Sequence, residues 1–276
     1  MKRILITGKS SYIGRSLEKW LLKYPDCYFC ERISIKNKEW HQIDFSGFDV
    51  VFHVAGLVHV KETNQNKVQY DAVNRDLTYE VANKAKRAGV KQFVFLSSMS
   101  VYGLEIGKIT ADVQPKPKSH YGKSKLAAEK RLNRLEDVHF KMVIVRPPMV
   151  YGKGCKGNYA TLFRFACCTP IFPEIENRRS MIHIVNLCEF IRILIDQDRS
   201  GTFFPQDKDY VKTCDMVQLI GQAHGKNIKL IKIPKRMVGL MFRAPGKIAT
   251  IFTKVFGSLI YDKEMSEIGV DYRVWK

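Results

Sequence analysis

Short apolar runs alternate with amphipathic stretches over the first two thirds of the chain. The runs at residues 50–54 (VVFHV) and 93–96 (FVFL) are nearly continuous, as in strands that are buried on both faces of a sheet. Strands are predicted at residues 3–7, 27–30, 50–54, 92–97 and 141–146, and helices at residues 14–24, 70–88 and 121–135. This alternation predicts an α/β fold with a doubly wound parallel sheet.

The alternation stops after residue 152 and divides the chain into two parts. Residues 1–152 would form the first domain. Residues 153–179 and 201–276 would build a smaller second lobe. Between them, residues 180–200 hold a predicted strand (180–184) and a predicted helix (187–195), which are expected to return to the main sheet.

The chain is basic, with 46 Lys and Arg residues against 27 Asp and Glu and a formal net charge of +19. Such a protein is attracted to phosphorylated ligands, nucleic acid or acidic membrane surfaces. No acidic residue lies between Asp215 and Asp262, and the basic residues there are Lys226, Lys229, Lys232, Lys235, Arg236, Arg243, Lys247 and Lys254. Pro234 and Gly246 would each open an amphipathic helix. These helices either bury one face in their own lobe or make peripheral membrane contact through residues 226–256.

The first residues, MKRILITG, lead directly into a predicted strand and lack the apolar segment and cleavage site of a secretory signal. Every apolar run ends well before the roughly 20 residues that a helix needs to cross a bilayer. The seven cysteines are scattered, and Cys27 and Cys30 would point to opposite faces of a strand. We therefore expect a cytoplasmic protein with reduced thiols. No metal site is expected, because His59, His120 and His183 have no partner at the usual ligand spacing.

A glycine-rich turn, TGKSSYIG at residues 7–14, follows the first strand and opens the first helix. Glycine lets the backbone approach a pyrophosphate closely, and the free N–H groups at the helix N-terminus attract that anion. The spacing is that of TGxxGxxG, except that Ser11 stands at the middle glycine. The turn predicts dinucleotide binding, with the Ser11 hydroxyl able to donate to a phosphate.

Tyr121 and Lys125 stand four residues apart in the third predicted helix. Residues at this spacing share a helix face, so the ammonium group is expected to lower the pKa of the phenol towards neutrality. A tyrosinate is a general base for an alcohol whose carbon loses hydride. Ser98, at the carboxyl end of the fourth strand, can reach the same substrate oxygen. The Tyr–Lys spacing alone is weak, since Tyr272 and Lys276 also fit it.

The glycine turn, the strand-end serine and the Tyr–Lys helix occur in this order in one chain, and with them the sequence resembles the extended short-chain dehydrogenase/reductases. Within that family it is similar to the UDP-glucose 4-epimerase-like epimerases and dehydratases of nucleotide sugars. Residues 53–56 (HVAG) and 146–152 (RPPMVYG) extend the likeness to nearly the whole chain. The resemblance implies a Rossmann-type fold whose first domain binds dinucleotide and whose small C-terminal lobe binds substrate.

The resemblance also implies roles for individual residues. Ser98, Tyr121 and Lys125 match the catalytic Ser, Tyr and Lys, and Asn74 matches an asparagine that props the central helix. The residues that would bind NAD or NADP are Gly8, Ser10, Ser11, Tyr12, Ile13, Gly14, Glu31, Arg32, Asp44, Phe45, Val54, Ala55, Gly56, Asn74, Tyr121 and Lys125. The residues that would contact substrate are Ser98, Met99, Ser100, Lys156, Asn158 and Arg179. Arg179 would bind the pyrophosphate, since a guanidinium can hold phosphate oxygens with two hydrogen bonds.

The implied reaction is the 4-epimerisation of a UDP-hexose or UDP-N-acetylhexosamine through a transient 4-keto sugar, with Tyr121 as the base. One alternative is an NADPH-dependent reductase of a nucleotide 4-keto-6-deoxy sugar. A second is a non-catalytic member that binds dinucleotide or RNA, although no aromatic-rich nucleic-acid motif accompanies the basic segment. A 4,6-dehydratase is not expected, because Met99 and Ser100 stand where such enzymes carry an acidic pair.

The choice between the two cofactors depends on the end of the second strand, where Glu31 and Arg32 are adjacent. A carboxylate there binds the ribose 2′-hydroxyl of NAD, whereas an arginine accepts the 2′-phosphate of NADP. Glu31 facing the ribose would favour NAD and epimerisation, and Arg32 would favour NADP and reduction. The resemblance further implies a homodimer through the exposed faces of the helices at residues 70–88 and 121–135.

Overall fold

The structure, a computed structural model, describes residues 1–58, 62–155 and 157–275. Its strands are β1 (Lys2–Thr7), β2 (Tyr28–Ile33), β3 (Val50–His53), β4 (Gln92–Leu96), β5 (Gly107–Ile109), β6 (Lys141–Val145), β7 (Met149–Tyr151), β8 (Ile171–Glu174), β9 (Met181–His183), β10 (Gly201–Phe203), β11 (Lys229–Lys232) and β12 (Leu259–Tyr261). Its α-helices are α1 (Tyr12–Leu21), α2 (Lys67–Asp71), α3 (Leu77–Arg87), α4 (His120–Leu132), α5 (Asn158–Cys168), α6 (Ile184–Asp196), α7 (Thr213–Ala223), α8 (Lys235–Arg243) and α9 (Lys247–Phe256).

Six parallel strands form the central sheet in the order β2–β1–β3–β4–β6–β10. β1 lies between β2 and β3, with Ile4 level with Cys30 on one side and with Val50 on the other. The strand order therefore reverses at β1, and ligands of such sheets bind in the crevice at the carboxyl ends beside this reversal. The predicted α/β fold with a doubly wound parallel sheet is confirmed.

The predicted strands agree with β1, β3, β4 and β6 to within one residue at each end, because these runs are apolar and buried on both faces of the sheet. β2 differs, since it spans Tyr28–Ile33 instead of residues 27–30. It is an edge strand, so the polar Glu31 and Arg32 can extend it without being buried in the sheet. Cys27 precedes the strand.

The predicted helix at residues 70–88 is interrupted. A π-helical turn at Ala72–Asp76 lies between α2 and α3. The apolar periodicity does not reveal this turn, because the residues on both sides keep a helical pattern. Such turns often occur at functional sites.

Of the strand and the helix that were expected to return to the main sheet, only the helix does so. β9 pairs with β7, outside the main sheet, so the prediction is wrong for the strand. α6 does return, and it packs with α1 against one face of the sheet. The sixth strand of the sheet is β10, in the segment that was assigned to the second lobe. Three residues are too few for a periodic pattern to identify a strand.

Apolar layers cover both faces of the sheet, with α1 and α6 on one face and α3 and α4 on the other. Tyr272 is buried in the first layer, and its hydroxyl bonds to the backbone of Gln206. Tyr272 therefore has a structural role, and its sequence partner Lys276 lies outside the described residues.

The second lobe has a separate apolar cluster, to which α5, α7, α8 and α9 contribute. α8 and α9 begin directly after Pro234 and Gly246, as predicted, and they end at Arg243 and Phe256. Within the described residues, no helix is both long and apolar enough to cross a bilayer.

Candidate active site

The glycine turn places Gly8 directly against the segment that follows β3. Gly8 has a φ of +91°, and a Cβ atom on it would lie 3.1 Å from the Ala55 amide nitrogen. The Gly8 and Lys9 amides both donate to the Ile33 carbonyl, at 3.0 and 2.9 Å. Only glycine suits both this backbone conformation and this close approach.

Ser11 is the N-cap of α1, which explains the departure from TGxxGxxG. Its backbone is extended, and its hydroxyl accepts a hydrogen bond from the Gly14 amide at 3.3 Å. Any residue can adopt this conformation, and a serine adds a cap that glycine lacks. Gly14 lies close to β1 and β3, since a Cβ on it would lie 3.1 Å from side-chain atoms of Ile6 and Val54.

The first turn of α1 keeps free donors. Within the described residues, the Tyr12 and Ile13 amides have no hydrogen-bond acceptor, and Ser10 beside them is exposed. The buried Tyr12 hydroxyl also lacks a partner there, and it lies 3.2 Å from the Cβ position of Gly152. An anion at this helix end would satisfy the two amides.

Arg32 and Glu31 differ in position at the end of β2. The Arg32 guanidinium donates to the Glu18 carboxylate at 2.6 Å and to the Lys9 carbonyl in the glycine turn. Glu31 is exposed, lies level with Leu5, and makes no side-chain hydrogen bond within the described part of the chain. Arg32 is therefore the member of this pair that lies over the glycine turn.

The side chains of Asp44 and Phe45, both predicted to bind cofactor, already make contacts within the protein. The exposed Asp44 carboxylate accepts from the Ser46 amide at 2.9 Å and from the Ser46 hydroxyl at 2.7 Å, and both bonds lower its pKa. The Phe45 side chain is fully buried against the sheet. Only the backbone of Phe45 is left to face a cofactor.

His53 belongs to the core. Its Nδ1 lies 2.9 Å from the Thr7 hydroxyl and its Nε2 lies 3.0 Å from the Thr78 hydroxyl. Burial, with a contribution from the Lys125 charge, lowers the pKa of His53 to about 3. The neutral ring thus ties β3 to β1 and α3, and the next residues, at positions 54–56, reach the edge of the sheet.

A buried asparagine joins this edge to α4. Asn74, in the π-helical turn, accepts from the Leu57 amide at 2.7 Å and donates to the Leu57 carbonyl and the Ser124 hydroxyl, both at 3.1 Å. A Cβ atom on Gly56 would lie 3.0 Å from Asn74 Oδ1 and 3.5 Å from Lys125 Nζ. Gly56 therefore leaves room for both polar groups.

Ser98 and Tyr121 come together at the carboxyl edge of the sheet, close enough for the Ser98 hydroxyl to act on the Tyr121 pKa. Ser98 caps the 3-10 turn after β4, accepting from the Ser100 amide at 3.1 Å. Tyr121 lies in the first turn of α4, which Ser119 caps. The Tyr121 ring lies edge-to-face with the Tyr70 ring, at 6.5 Å between centroids.

Lys125 lies one turn further along α4 and is buried. Its Nζ donates to the Leu96 carbonyl at 2.8 Å and lies 4.5 Å from the centre of the Phe95 ring. Burial lowers the pKa of Lys125 to about 7, and the Glu129 carboxylate opposes this shift. At neutral pH the side chain is divided between ammonium and amine.

The expectation that Lys125 lowers the Tyr121 pKa is wrong for this structure. Burial raises the pKa of Tyr121 to about 12, although the neighbouring Ser98 hydroxyl acts to lower it. The Lys125 ammonium bonds to the Leu96 carbonyl, and burial lowers the pKa of Lys125, so that only part of it is charged at neutral pH. Tyr121 is therefore a proton donor at neutral pH in this state, and a cation brought beside the phenol would lower its pKa.

Sequence analysis missed a buried ion pair next to Lys125. Arg146 binds the Glu129 carboxylate with Nη2 at 2.6 Å and Nε at 3.1 Å. The Ser97 hydroxyl donates to Glu129, and Arg146 donates to the Tyr102 hydroxyl at 2.9 Å. Glu129 follows Lys125 by four residues, so the same helical spacing that placed Lys125 beside Tyr121 also places Glu129 beside Lys125. This spacing could have identified Glu129 from the sequence.

Sequence patterns also did not identify Glu62, which contacts the start of α4. Its two carboxylate oxygens accept from the backbone amides of His120 and Tyr121, both at 3.0 Å. A carboxylate stabilises a helix N-terminus, and this one holds the turn that carries Tyr121. Glu62 is distant from α4 in sequence, so no local pattern connects the two.

The predicted substrate residues are only partly brought together. Met99 packs against a small apolar cluster, and Ser100 is exposed beside Ser98. Lys156 lies outside the described residues, and Asn158 is the first residue of α5. No acidic residue occupies positions 99 and 100.

Arg179 lies in the second lobe, where isolated bridges pair it with Val211 and Leu259. Its Nη1 donates to the Lys254 carbonyl in α9. Burial lowers the pKa of Arg179, while the charge of Glu105 raises it. Glu105 follows the 3-10 turn that Ser98 caps, so the loop after β4 approaches Arg179.

The residues at this edge fit a dinucleotide. Gly8 carries no side chain at its close approach to Ala55, and two amides at the start of α1 have no acceptor among the described residues. The buried Lys125 amine and the Ser98–Tyr121 pair lie across the same edge. This arrangement can bind a diphosphate, hold a ribose, and exchange a proton with an alcohol.

The sequence of the chain is similar to those of known proteins. A sequence model of the NAD dependent epimerase/dehydratase family matches residues 4–204. A UDP-glucose 4-epimerase from Vibrio cholerae is 30% identical over 268 residues, which cover 93% of this chain and 81% of the relative. An N-acetyl-alpha-D-glucosaminyl-diphospho-ditrans,octacis-undecaprenol 4-epimerase from Escherichia coli O157:H7 is 27% identical over 251 residues, covering 84% of this chain and 75% of the relative.

The fold is shared with solved structures of low sequence identity. A dTDP-4-dehydrorhamnose reductase from Clostridium acetobutylicum superposes with a TM-score of 0.68 at 21% identity, over 84% of this chain and 83% of that chain. This likeness concerns the fold alone.

Proposed function

Because the chain belongs to the NAD dependent epimerase/dehydratase family of extended short-chain dehydrogenase/reductase enzymes, we propose that it is a 4-epimerase acting on a UDP-linked hexose or N-acetylhexosamine. The observation that carries this proposal is the juxtaposition of Ser98 and Tyr121 beside the buried Lys125, in a chain similar to a 4-epimerase over 93% of its length. The oxidised intermediate would be a 4-keto sugar.

The side chains of this edge would handle the proton of the sugar. When bound, the NAD or NADP cofactor supplies the hydride acceptor and donor that side chains lack. Tyr121 would take the C4 hydroxyl proton as the ketone forms and return it when the alcohol forms again. Ser98 would hold the same sugar oxygen, and Lys125 in its ammonium form would stabilise the Tyr121 phenolate.

The polar network around α4 would keep these groups aligned. Asn74 fixes the start of α4 through Ser124, whose hydroxyl also donates to the Tyr121 carbonyl at 2.8 Å. Glu62 holds the Tyr121 amide from the other side. A base held by two independent contacts loses little freedom when substrate binds.

The diphosphate of the substrate would bind Arg179. The names of the two 4-epimerase relatives give different carriers for the sugar. The carrier is UDP in one name and diphospho-undecaprenol in the other. Both carriers present a diphosphate, which a guanidinium can bind with two hydrogen bonds. We propose UDP as the carrier here, and the lipid-linked sugar serves as the comparison substrate.

One observation favours a second candidate, an NADPH-dependent reductase of a nucleotide 4-keto-6-deoxy sugar. Arg32 lies over the glycine turn, and Glu31 does not. An arginine in this place accepts a ribose 2′-phosphate and so favours NADP. Since a reductase consumes reduced cofactor whereas an epimerase recycles it, the cofactor found on the purified protein separates the two candidates.

The test is mass spectrometry of the cofactor released from denatured protein, followed by incubation with UDP-glucose or UDP-N-acetylglucosamine without added nicotinamide. Retained cofactor and appearance of the C4 epimer support the epimerase. An empty site, no epimer, and turnover of a 4-keto sugar only with NADPH would replace it with the reductase. Salt-dependent RNA binding without any turnover would replace both with a binding protein.

We also propose a homodimer formed by the outer faces of α2, α3 and α4. Val68 on α2 is 73% exposed, so an apolar side chain of this segment is available for such a contact. Analytical ultracentrifugation should give twice the monomer mass, and Val68→Asp should lower the dimer fraction. A monomer at all concentrations would contradict this assembly.

A further inference from the structure

The surface of α8 and α9 exposes large apolar side chains. Leu240 is 69% exposed and Met237 51%, and on α9 Ile251 is 63% exposed. α8 has no buried residue along its whole length. We call α8 and α9 with their connecting residues, Lys235–Arg243 and Lys247–Phe256 with 244–246, the hairpin.

The hairpin is nevertheless attached to the lobe. Val238 and Phe242 of α8 pack against the apolar cluster of the lobe, and the Phe242 ring lies 4.8 Å from the Phe252 ring. Phe252 and Phe256 of α9 are part of that cluster. The inner face therefore fixes the hairpin in place, and the exposed apolar side chains lie outside this packing.

On α8 the exposed apolar residues form one stripe. Met237, Leu240 and Met241 stand at the i, i+3 and i+4 spacing that shares a helix face. At 100° per residue, Arg236 and Arg243 fall on the adjacent line, next to Leu240. The outer surface of α8 thus has an apolar stripe with an arginine border.

The hairpin carries several cations and, in its sequence, no carboxylate. Within the described residues, no ion pair includes Lys235, Arg236, Arg243 or Lys254. The sequence has no Asp or Glu between Asp215 and Asp262. An apolar stripe bordered by unpaired cations is complementary to a surface with anionic head groups above an apolar interior.

We propose that the outer face of the hairpin docks on an anionic phospholipid membrane. The apolar stripe of α8 would enter the boundary between head groups and acyl chains, and Arg236 and Arg243 would contact lipid phosphates. A second protein copy would gain little from this surface, because two identical faces without carboxylates would bring cations against cations.

Docking would bring part of the proposed sugar site near the membrane. Arg179, the proposed diphosphate ligand, donates to the Lys254 carbonyl of α9. The Arg178 carbonyl accepts from the Leu259 amide at 3.0 Å, directly after α9. Arg179 therefore contacts the hairpin directly, and docking would bring this residue close to the lipid surface.

The test is flotation of the purified full chain with phosphatidylcholine vesicles and with vesicles that also contain about a third phosphatidylglycerol. We expect binding to the anionic vesicles and weak binding to the neutral ones, with binding reduced as salt rises. The variant Arg236→Glu/Arg243→Glu should bind anionic vesicles at least about thirtyfold more weakly, since each cation contributes about fivefold. Leu240→Gln should weaken binding about tenfold through lost apolar insertion.

The matched control is Lys19→Glu/Lys23→Glu, which changes net charge equally at exposed positions of α1 and of the turn that follows it. This variant should bind anionic vesicles within about threefold of the natural chain, because its charges lie away from the docked surface. All variants should keep the natural melting temperature and turn over a UDP-sugar at the natural rate in the absence of vesicles. This readout is independent of vesicle binding, so failure of the docking and failure of the proposed reaction can be told apart.

Three results would overturn the docking. They are equal binding to neutral and anionic vesicles, unchanged binding by Arg236→Glu/Arg243→Glu, and no vesicle binding combined with self-association that Leu240→Gln abolishes. The third result would assign the hairpin to contact between copies.

Discussion

The two groups of charged residues in this protein are arranged in opposite ways. Around α4, Lys125, Glu129 and Arg146 are largely buried, and each charge has a named partner. On the hairpin, Arg236 and Arg243 are exposed and lack ion pairs within the described residues. Buried charges cost too much free energy to persist without partners, whereas exposed ones persist without any. The first group therefore fixes a geometry, and the second is available to an external anionic surface.

The same contrast holds for apolar side chains. Along the central sheet they are covered by helices on both faces. On α8 they alternate with cations and stay exposed. Substitutions near α4 should therefore change catalysis or folding, and substitutions on the hairpin should change neither. The predictions below test the α4 side of this contrast, from the largest effect to the smallest.

Tyr121→Phe removes the proposed base and should have the largest effect. We expect turnover of UDP-sugar to fall at least several hundredfold, as is typical when a general base is lost. Cofactor affinity and melting temperature should change little, since the ring is kept. The control Tyr24→Phe alters an exposed tyrosine and should leave the initial rate unchanged. A Tyr121→Phe enzyme with the natural rate would remove Tyr121 from the mechanism.

Glu129→Gln breaks the buried ion pair. We expect a loss of about 3 kcal/mol in the free energy of unfolding, measured in urea, because Arg146 keeps its charge without a counterion. The control is Glu176→Gln, whose partner Lys212 lies 2.8 Å away in an exposed pair. That change should cost less than about 0.5 kcal/mol. Equal losses for the two variants would contradict the contrast between buried and exposed pairs.

Arg32→Ala should separate the two cofactors. If Arg32 binds the 2′-phosphate, the Kd for NADP should rise about thirtyfold while the Kd for NAD changes little. Isothermal titration calorimetry measures both values. Lys19→Ala, an exposed change on α1, should leave both Kd values as they are. Equal changes in the Kd values for NAD and NADP would show that Arg32 does not bind the 2′-phosphate.

The pKa of Lys125 predicts a pH dependence of cofactor binding. Burial lowers this pKa to about 7, so the side chain is an ammonium below that pH and an amine above it. The ammonium form favours an anionic dinucleotide, and affinity should fall about tenfold from about pH 6 to about pH 8.5. Lys125→Met should abolish this dependence, and the exposed Lys123→Met should keep it. A flat profile for the natural chain would contradict the assignment.

Sequence patterns predicted the parts of the site that depend on local spacing. Gly8 and Gly14 follow from a turn between a strand and a helix, and Tyr121 and Lys125 from a helical repeat. The strands β1, β3, β4 and β6 were predicted because each is a short apolar run, which is also a local pattern.

The remaining features depend on contacts between distant segments. The position of Glu62 against α4, the π-helical turn around Asn74 and the pairing of β10 with β6 have no local signature. The pKa of Tyr121 was predicted in the wrong direction because the helical spacing gives the distance to Lys125 but not the burial of either group. At Ser11 the sequence departs from the TGxxGxxG motif, and the structure explains this departure because Ser11 caps the first helix.

The most direct test of the proposed reaction uses UDP-glucose with deuterium at C4, incubated with the purified enzyme in ordinary water and followed by NMR. The account predicts the C4 epimer with its deuterium retained, because the hydride removed from C4 is returned to the same carbon, and no product with Tyr121→Phe. Absence of the epimer, or an epimer whose C4 carries hydrogen from the solvent, would contradict it.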